Sequence, residues 1–371
     1  MNISFKEDHI SQIPALQLLQ KLGYKYLSQE EALTLRDGKT TNVLLESVLR
    51  RQLSEINAEI QVSGTRTSYF STQNIENGII AMRNIPVDEG YISANQYVYD
   101  LLTYGKSLEQ SVDGDKKSYN LKYIDWEHPE RNVFHVTEEF AVSRTGMSDT
   151  YRPDVVLFVN GIPLVVIECK RPDIKDSLEQ AISQHLRNQH EDGIRGLYLY
   201  SSLVLGIANS FASYATTGTD MKFWAKWTEQ FASKEEETAY FTELNRLVNQ
   251  PLNEKQKEKL FATRYHYVKS HFEEMEKKQL SPTLQDEYLY SLCRPERLLE
   301  LIFSYTLYDN GVKKVARYQQ YFAVKKTMER ISGLEGGKRR GGAIWHTQGS
   351  GKSLTMVMLA QAIVVEKSIK N

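Results

Sequence analysis

Hydrophobic positions near the start of the chain recur at helical spacing. Ile13, Leu16, Leu19 and Leu22, followed by Gly23, predict a helix over Ile10–Leu22 with a glycine stop. Thr41–Ile60 repeats the pattern, with Leu44, Leu45, Val48, Leu49 and Leu53 on one face. Residues 61–150 mix short β-rich runs with polar turns, and Ile79–Met82 and Val133–Val136 are candidate strands. The strongest β signal is a pair of apolar runs, Asp154–Val159 and Ile162–Lys170, around Asn160-Gly161. That arrangement predicts a hairpin, and its near-continuous apolarity predicts strands covered on both faces. Asp176–Gln189 then reads as a helix and Leu197–Leu205 as a return to strand.

The pattern shifts near residue 230. Lys234–Lys278 is charged with helical spacing and reads as a solvated helical connector. Arg297–Phe303 and Gly311–Ile331 are predicted helices. A basic loop, Glu335–Gly342, leads to a short strand at Ala343–His346, a glycine-rich turn and a helix over Ser353–Val365. The 371 residues suffice for two or three domains. Net charge is only -1, but it is unevenly spread. From Gly311 to Asn371 there are 12 Lys/Arg against 3 Asp/Glu, leaving 34 against 44 before it. The basic end is therefore the region suited to a polyanion. Two cysteines without CxxC spacing argue against a disulfide framework or a structural zinc site. No apolar run is long enough to span a membrane, so a soluble cytoplasmic protein is expected.

Two groups of residues carry chemistry. Glu168 and Lys170 are two apart on a predicted strand and so share a face, and Asp154 opens the partner strand. Charges beside a buried hairpin are costly unless paired or bound to metal. Two carboxylates suit Mg²⁺, which lowers the pKa of a bound water and offsets charge on a phosphate; a lysine can position the attacking water or stabilise the charged transition state. Register tests this. A strict two-residue loop sets Asp154 opposite Ile167, facing away from Glu168. One bulge, or an odd loop, sets Asp154 opposite Glu168, so a metal site requires one of these.

The second group is His346-Thr347-Gln348-Gly349-Ser350-Gly351-Lys352-Ser353, between a predicted strand and helix. That is the context of a P-loop. Gly349 and Gly351 admit backbone amides to phosphate oxygens, Lys352 reaches the outer phosphates and Ser353 ligates Mg²⁺. His346 stands where the strict pattern has its first glycine.

Pro153-Asp154 and Glu168-Cys169-Lys170 resemble the PD-(D/E)xK nuclease core. Gln184 resembles the glutamine of the QxxxY motif in the RecB-like branch, with Asn188 at the tyrosine position, and Glu7 is a possible match to an extra acidic residue of that branch. Arg317–Val324 resembles the Q-motif of superfamily 2 helicases, with Gln320 as the adenine-reading glutamine and Gln319 its competitor. In this order, the segments resemble the restriction (motor) subunit of type I restriction–modification enzymes.

The resemblance implies an α/β fold. A PD-(D/E)xK core with a mixed sheet flanked by helices would occupy residues 1–230, a helical connector 231–305, and the start of a RecA-like lobe 306–371. It implies cleavage of double-stranded DNA with Mg²⁺ at Asp154, Glu168 and Lys170, assisted by Gln184. It further implies ATP-driven translocation, and assembly with methyltransferase and specificity subunits. With 18 residues after Ser353, the chain is expected not to hydrolyse ATP by itself. Two other readings stay open: a nuclease–helicase fusion of DNA repair, and a nuclease-like assembly or DNA-binding module.

Overall fold

A six-stranded mixed sheet runs through the N-terminal two thirds of the chain. In the computed structural model, residues 8–63, 66–112, 114–171, 173, 175–345 and 351–366 are described. The strands are β1 (Lys25–Leu27), β2 (Phe134–Glu138), β3 (Val155–Val159), β4 (Ile162–Cys169), β5 (Leu203–Ala208) and β6 (Phe211–Ala215), and they lie side by side in chain order. β1–β2 and β4–β5 are parallel; the other neighbours are antiparallel. β3, β4 and β5 are buried at every position, as their unbroken apolarity requires.

The principal helices are α1 (Ile13–Lys21), α2 (Glu46–Ile56), α3 (Thr72–Arg83), α4 (Tyr91–Tyr104), α5 (Ser177–Asn188), α6 (Lys234–Asn249), α7 (Leu284–Cys293), α8 (Pro295–Ser304), α9 (Tyr318–Ser332) and α10 (Lys352–Val365). α5 is the crossover that joins parallel β4 and β5. None of the helices is long and apolar enough to cross a membrane, among the described residues.

The structure departs from the sequence pattern in several places. Ile79–Met82 is not a strand but the end of α3, because Ser71 caps that helix and Ile75, Ile79 and Met82 bury one side of it. α2 starts at Glu46 rather than Thr41. The Asn42 side chain accepts from Leu44 N, and Leu45 N is taken by the carbonyl of Gly161. Leu197 belongs to a short helix, Arg195–Tyr198, ahead of β5. Gly311–Ile331 is not one helix. Thr306–Asp309 (β7) and Val312–Val315 (β8) form a hairpin on Asn310-Gly311, both at positive φ, and α9 begins only at Tyr318. The basic loop contains a small hairpin, Leu334–Glu335 with Lys338–Arg339. No strand precedes the glycine-rich turn within 343–345, and His346 lies outside the described residues.

Nor is Lys234–Lys278 a solvated spacer. Leu244, Leu247, Leu260, Phe261, Tyr265 and Phe272 are buried. Ser11 donates to Gln285 Oε1 (2.5 Å), Tyr24 to the Cys293 carbonyl (2.6 Å) and Tyr265 to Gln12 Oε1 (2.9 Å). Buried residues of these helices, Leu247 and Phe272 among them, belong to the same core as α1, against which α6 and α7 pack.

Candidate active site

The hairpin of β3 and β4 carries the bulge that the carboxylates need. Ile162 pairs with Val159 and Pro163 with Phe158, but Val165 pairs with Leu157, so the register slips by one residue at Leu164. Ile167 is then opposite Val155, and Asp154 is brought across from Glu168. Asn160 and Gly161, at φ of 52° and 84°, make the tight turn.

Asp154, Glu168 and Lys170 meet at the ends of these strands. Asp154 Oδ2 accepts from the Cys169 amide (2.7 Å) and from Lys170 Nζ (3.3 Å). Lys170 Nζ also donates to the Cys169 carbonyl (2.9 Å) and lies 3.6 Å from Glu168 Oε2. The Glu168 side chain is fully buried, and those of Lys170 and Asp154 are 9% and 12% exposed. Charges buried this deeply persist because they are paired. Both carboxylates face one ammonium, so both face one point. Their hard oxygens suit a divalent cation of the Mg²⁺ class. Among the described residues no group of three or more His, Cys, Asp or Glu could hold a metal. A two-carboxylate set instead leaves most positions to water and phosphate oxygens, as Mg²⁺ prefers.

Residues from distant segments, not singled out in the sequence, surround Asp154. Glu139 follows β2 at φ 47°, and its amide donates to the Asp154 carbonyl (3.0 Å). Gln12 Nε2 donates to the same carbonyl (2.8 Å). Arg264 pairs with Glu139 at 3.2 Å. Burial pushes the Glu139 carboxyl up, Arg264 opposes this, and the charge of Asp154 adds to the rise. Only the positive φ is unusual locally; the rest depends on tertiary contact.

Glu138, the last residue of β2, is almost fully buried, and burial pushes its carboxyl from 4.5 to about 7 against a hydrogen bond from Tyr26. The native state thus holds a proton that the unfolded chain releases, and stability falls as pH rises from about 4.5 to about 7. Glu138→Gln is expected to remove this loss. Thermal unfolding at pH 5 and pH 8 checks it: the wild type should lose more stability than the variant.

α5 covers the sheet beside Glu168. Gly206 pairs with Glu168, and a Cβ there would stand 3.0 Å from Ala181 Cβ, so glycine allows the helix its close approach. Ala181, Ile182, His185 and Asn188 face inward. Gln184 is half-buried at the edge of this stripe, on the same side as Asn188. His185 is fully buried. Its Nε2–H donates to the Leu205 carbonyl (2.9 Å) and its Nδ1 accepts from the Tyr198 hydroxyl (2.9 Å). Burial pushes its pKa down to about 3, the Leu205 bond opposing this and Lys170 adding to it, so the ring is neutral. Burial and the charge of Glu168 raise the pKa of that same Tyr198 hydroxyl, and Asn188, at the position expected for tyrosine, opposes the rise.

Of the candidate nucleotide-binding residues, Gln320 lies on α9 and Lys352 and Ser353 on α10. Gln320 is buried, and its Oε1 accepts from the Arg317 amide (2.9 Å), closing the start of α9; Gln319 is exposed. Gly351 begins α10 at φ 83°, where a Cβ would fall 2.2 Å from Gln320 Nε2. The fold therefore brings Gln320 against Gly351. Lys352 and Ser353 are exposed on the first turn of α10. Gly349, like Glu7, lies outside the described residues.

Comparison with known proteins identifies the chain's relatives. Residues 4–247 match the family model for the N terminus of type I restriction enzyme R proteins. The chain belongs to this family. Residues 319–371 match the SWI2/SNF2 ATPase model. A putative type I restriction enzyme MjaIXP endonuclease subunit of Methanocaldococcus jannaschii is 25% identical over 371 residues, covering 98% of this chain and 32% of the relative. The type I restriction enzyme HindI endonuclease subunit of Haemophilus influenzae is 26% identical over 380 residues, covering 98% of this chain and 30% of the relative. The chain thus spans about a third of the length of these relatives. The R-protein match contains Asp154, Glu168 and Lys170 but ends before Arg264 and Tyr265, which also reach this site.

Proposed function

We propose that this chain carries the PD-(D/E)xK DNA endonuclease site of a type I restriction subunit, followed by the first nucleotide-binding motifs of its motor. The observation that carries this reading is the convergence of Asp154, Glu168 and Lys170 across a bulged hairpin. Asp154 and Glu168 would hold Mg²⁺, which supplies a water of lowered pKa and charge compensation at the phosphate. Lys170 stabilises charge on the scissile phosphate, and its present contacts keep it beside both carboxylates. Gln184 orients the attacking water from the edge of α5. The Cys169 amide holds Asp154 in its rotamer.

Gln320, Gly349, Gly351, Lys352 and Ser353 would bind ATP, with translocation belonging to the whole subunit. The substrate is double-stranded DNA, and the partners are methyltransferase and specificity subunits. Family membership sets aside a repair nuclease–helicase fusion.

Plasmid cleavage in Mg²⁺ or Mn²⁺, with the chain alone and with partner subunits added, tests the reading. Asp154→Asn is expected to lower the rate by about a hundredfold or more, as loss of one organised charge does. Equal cutting by variant and wild type would overturn it. A protein that binds DNA but never cuts would favour the assembly module.

A further inference from the structure

Lys313 is a buried lysine that the nuclease chemistry does not use. It lies on β8, directly opposite Tyr308 on β7, so the two side chains share one face of that hairpin. Only 3% of Lys313 is exposed, and its ammonium donates to the Ser201 carbonyl at 3.0 Å. No carboxylate among the described residues forms an ion pair with it, and burial pushes its pKa down to about 7. An ammonium placed this deeply against one carbonyl is expensive, and a hydrophobic residue would pack there at lower cost.

The hairpin grips the segment that builds the α5 side of the nuclease site. Tyr308 donates to Asn95 Oδ1 (2.5 Å), and Asn95 Nδ2 donates to the carbonyls of Tyr198 (3.2 Å) and Leu199 (2.7 Å). With Lys313 on Ser201, residues 198–201 are held at both ends. The Tyr198 hydroxyl in turn fixes His185, and His185 Nε2 fixes Leu205, whose neighbour Gly206 pairs with Glu168. Beyond β8 the chain leads directly into α9, where Gln320 touches Gly351.

We propose that Lys313, with Tyr308, is a positioning residue for the nuclease: it holds residues 198–201 so that Tyr198 and His185 set the strand beside Glu168. The inference rests on reading Asp154, Glu168 and Lys170 as the cleavage site. It adds that a hairpin outside the R-protein match, on the approach to the nucleotide motif, tunes that site. A change in the nucleotide-binding part then has a built route to the nuclease.

The test compares Lys313→Met with Lys314→Met in the 371-residue chain. Lys314 is next in sequence but pairs with Asp309 at the surface. Three quantities are read: thermal stability, plasmid cleavage with kcat and KM separated, and hydrogen exchange over residues 197–208. Lys313→Met is expected to fold with unchanged or higher Tm, since it removes a buried charge at similar volume. Its kcat should fall about tenfold at unchanged KM, and residues 197–208 should exchange faster. Lys314→Met should match the wild type.

A Lys313→Met protein with wild-type kcat and exchange would overturn the proposal. Should the wild type and Glu168→Ala cut equally, the nuclease reading fails, and exchange at 197–208 still decides whether the hairpin holds that segment. If Lys313→Met does not fold, Tyr308→Phe takes its place, with a kcat loss and faster exchange expected and wild-type values overturning the proposal.

Discussion

Lys170→Met is expected to abolish metal-dependent DNA cleavage and to destabilise the fold by about 3–5 kcal/mol, the cost typical of breaking a buried ion pair. The reason is the depth of its partners. Glu168 is fully buried and Asp154 nearly so, and Lys170 Nζ lies within 3.6 Å of both carboxylates. Methionine keeps most of the volume but removes the ammonium that both carboxylates face. At an exposed strand end, Lys170 would be replaced at little cost to folding. Its burial changes that. Denaturant unfolding with and without Mn²⁺ checks the prediction. The variant's deficit should shrink when Mn²⁺ is added, because a divalent ion supplies the missing charge and binds the folded state. An unchanged deficit in saturating Mn²⁺ would count against a metal site between these carboxylates.

Asn160→Ala should cost about 3–5 kcal/mol, since each buried group that loses its partner costs about 1–3 kcal/mol. Asn160 Nδ2 donates to the Tyr123 carbonyl (2.9 Å) and to Asn132 Oδ1 (2.8 Å), while its Oδ1 accepts from the Val133 amide (2.9 Å). It also sits at φ 52°, where asparagine is tolerated far better than alanine. The turn thus does more than reverse the chain: it ties the hairpin to the 123–133 segment beside β2. Urea unfolding measures the loss, and a change below about 1 kcal/mol would show that these bonds are replaced by water.

The same turn shows what was legible in the sequence. Two apolar runs around Asn160-Gly161 announce the hairpin, and the demand that Asp154 face Glu168 announces the bulge found at Leu164. A second Asn-Gly, at 310–311, stands at the edge of the helix that the sequence pattern predicts over Gly311–Ile331, and so gives no hairpin signal there. Its flanking strands are four residues each, and Lys313-Lys314 reads as a solvated face; only tertiary contact shows that Lys313 points inward. Ile79–Met82 has strand-like residues, but the helical stripe with Ile75 and the Ser71 cap outweigh them. The helices of Lys234–Lys278 look solvated because their charged faces dominate the composition, while the few apolar residues on the other side do the packing.

The candidate site divides in the same way. Asp154, Glu168, Lys170, Gln320 and Gly351 stand in short motifs whose spacing carries meaning. Gln12, Glu139, His185, Tyr198 and Arg264 come from separate segments, and nothing in their local spacing distinguishes them from ordinary surface or core residues. Asn188 is instructive. Its departure from tyrosine weakens the motif around Gln184, yet it lies on the buried side of its helix with Ala181 and His185.

Calorimetric titration of Mn²⁺ into the chain and into Glu168→Ala tests the central claim most directly, because it reads the metal site without requiring cleavage. The account predicts saturable binding by the wild type that is lost or greatly weakened in the variant. Equal binding by the two proteins, or none by either, would contradict the assignment of Asp154 and Glu168 as the metal-holding pair.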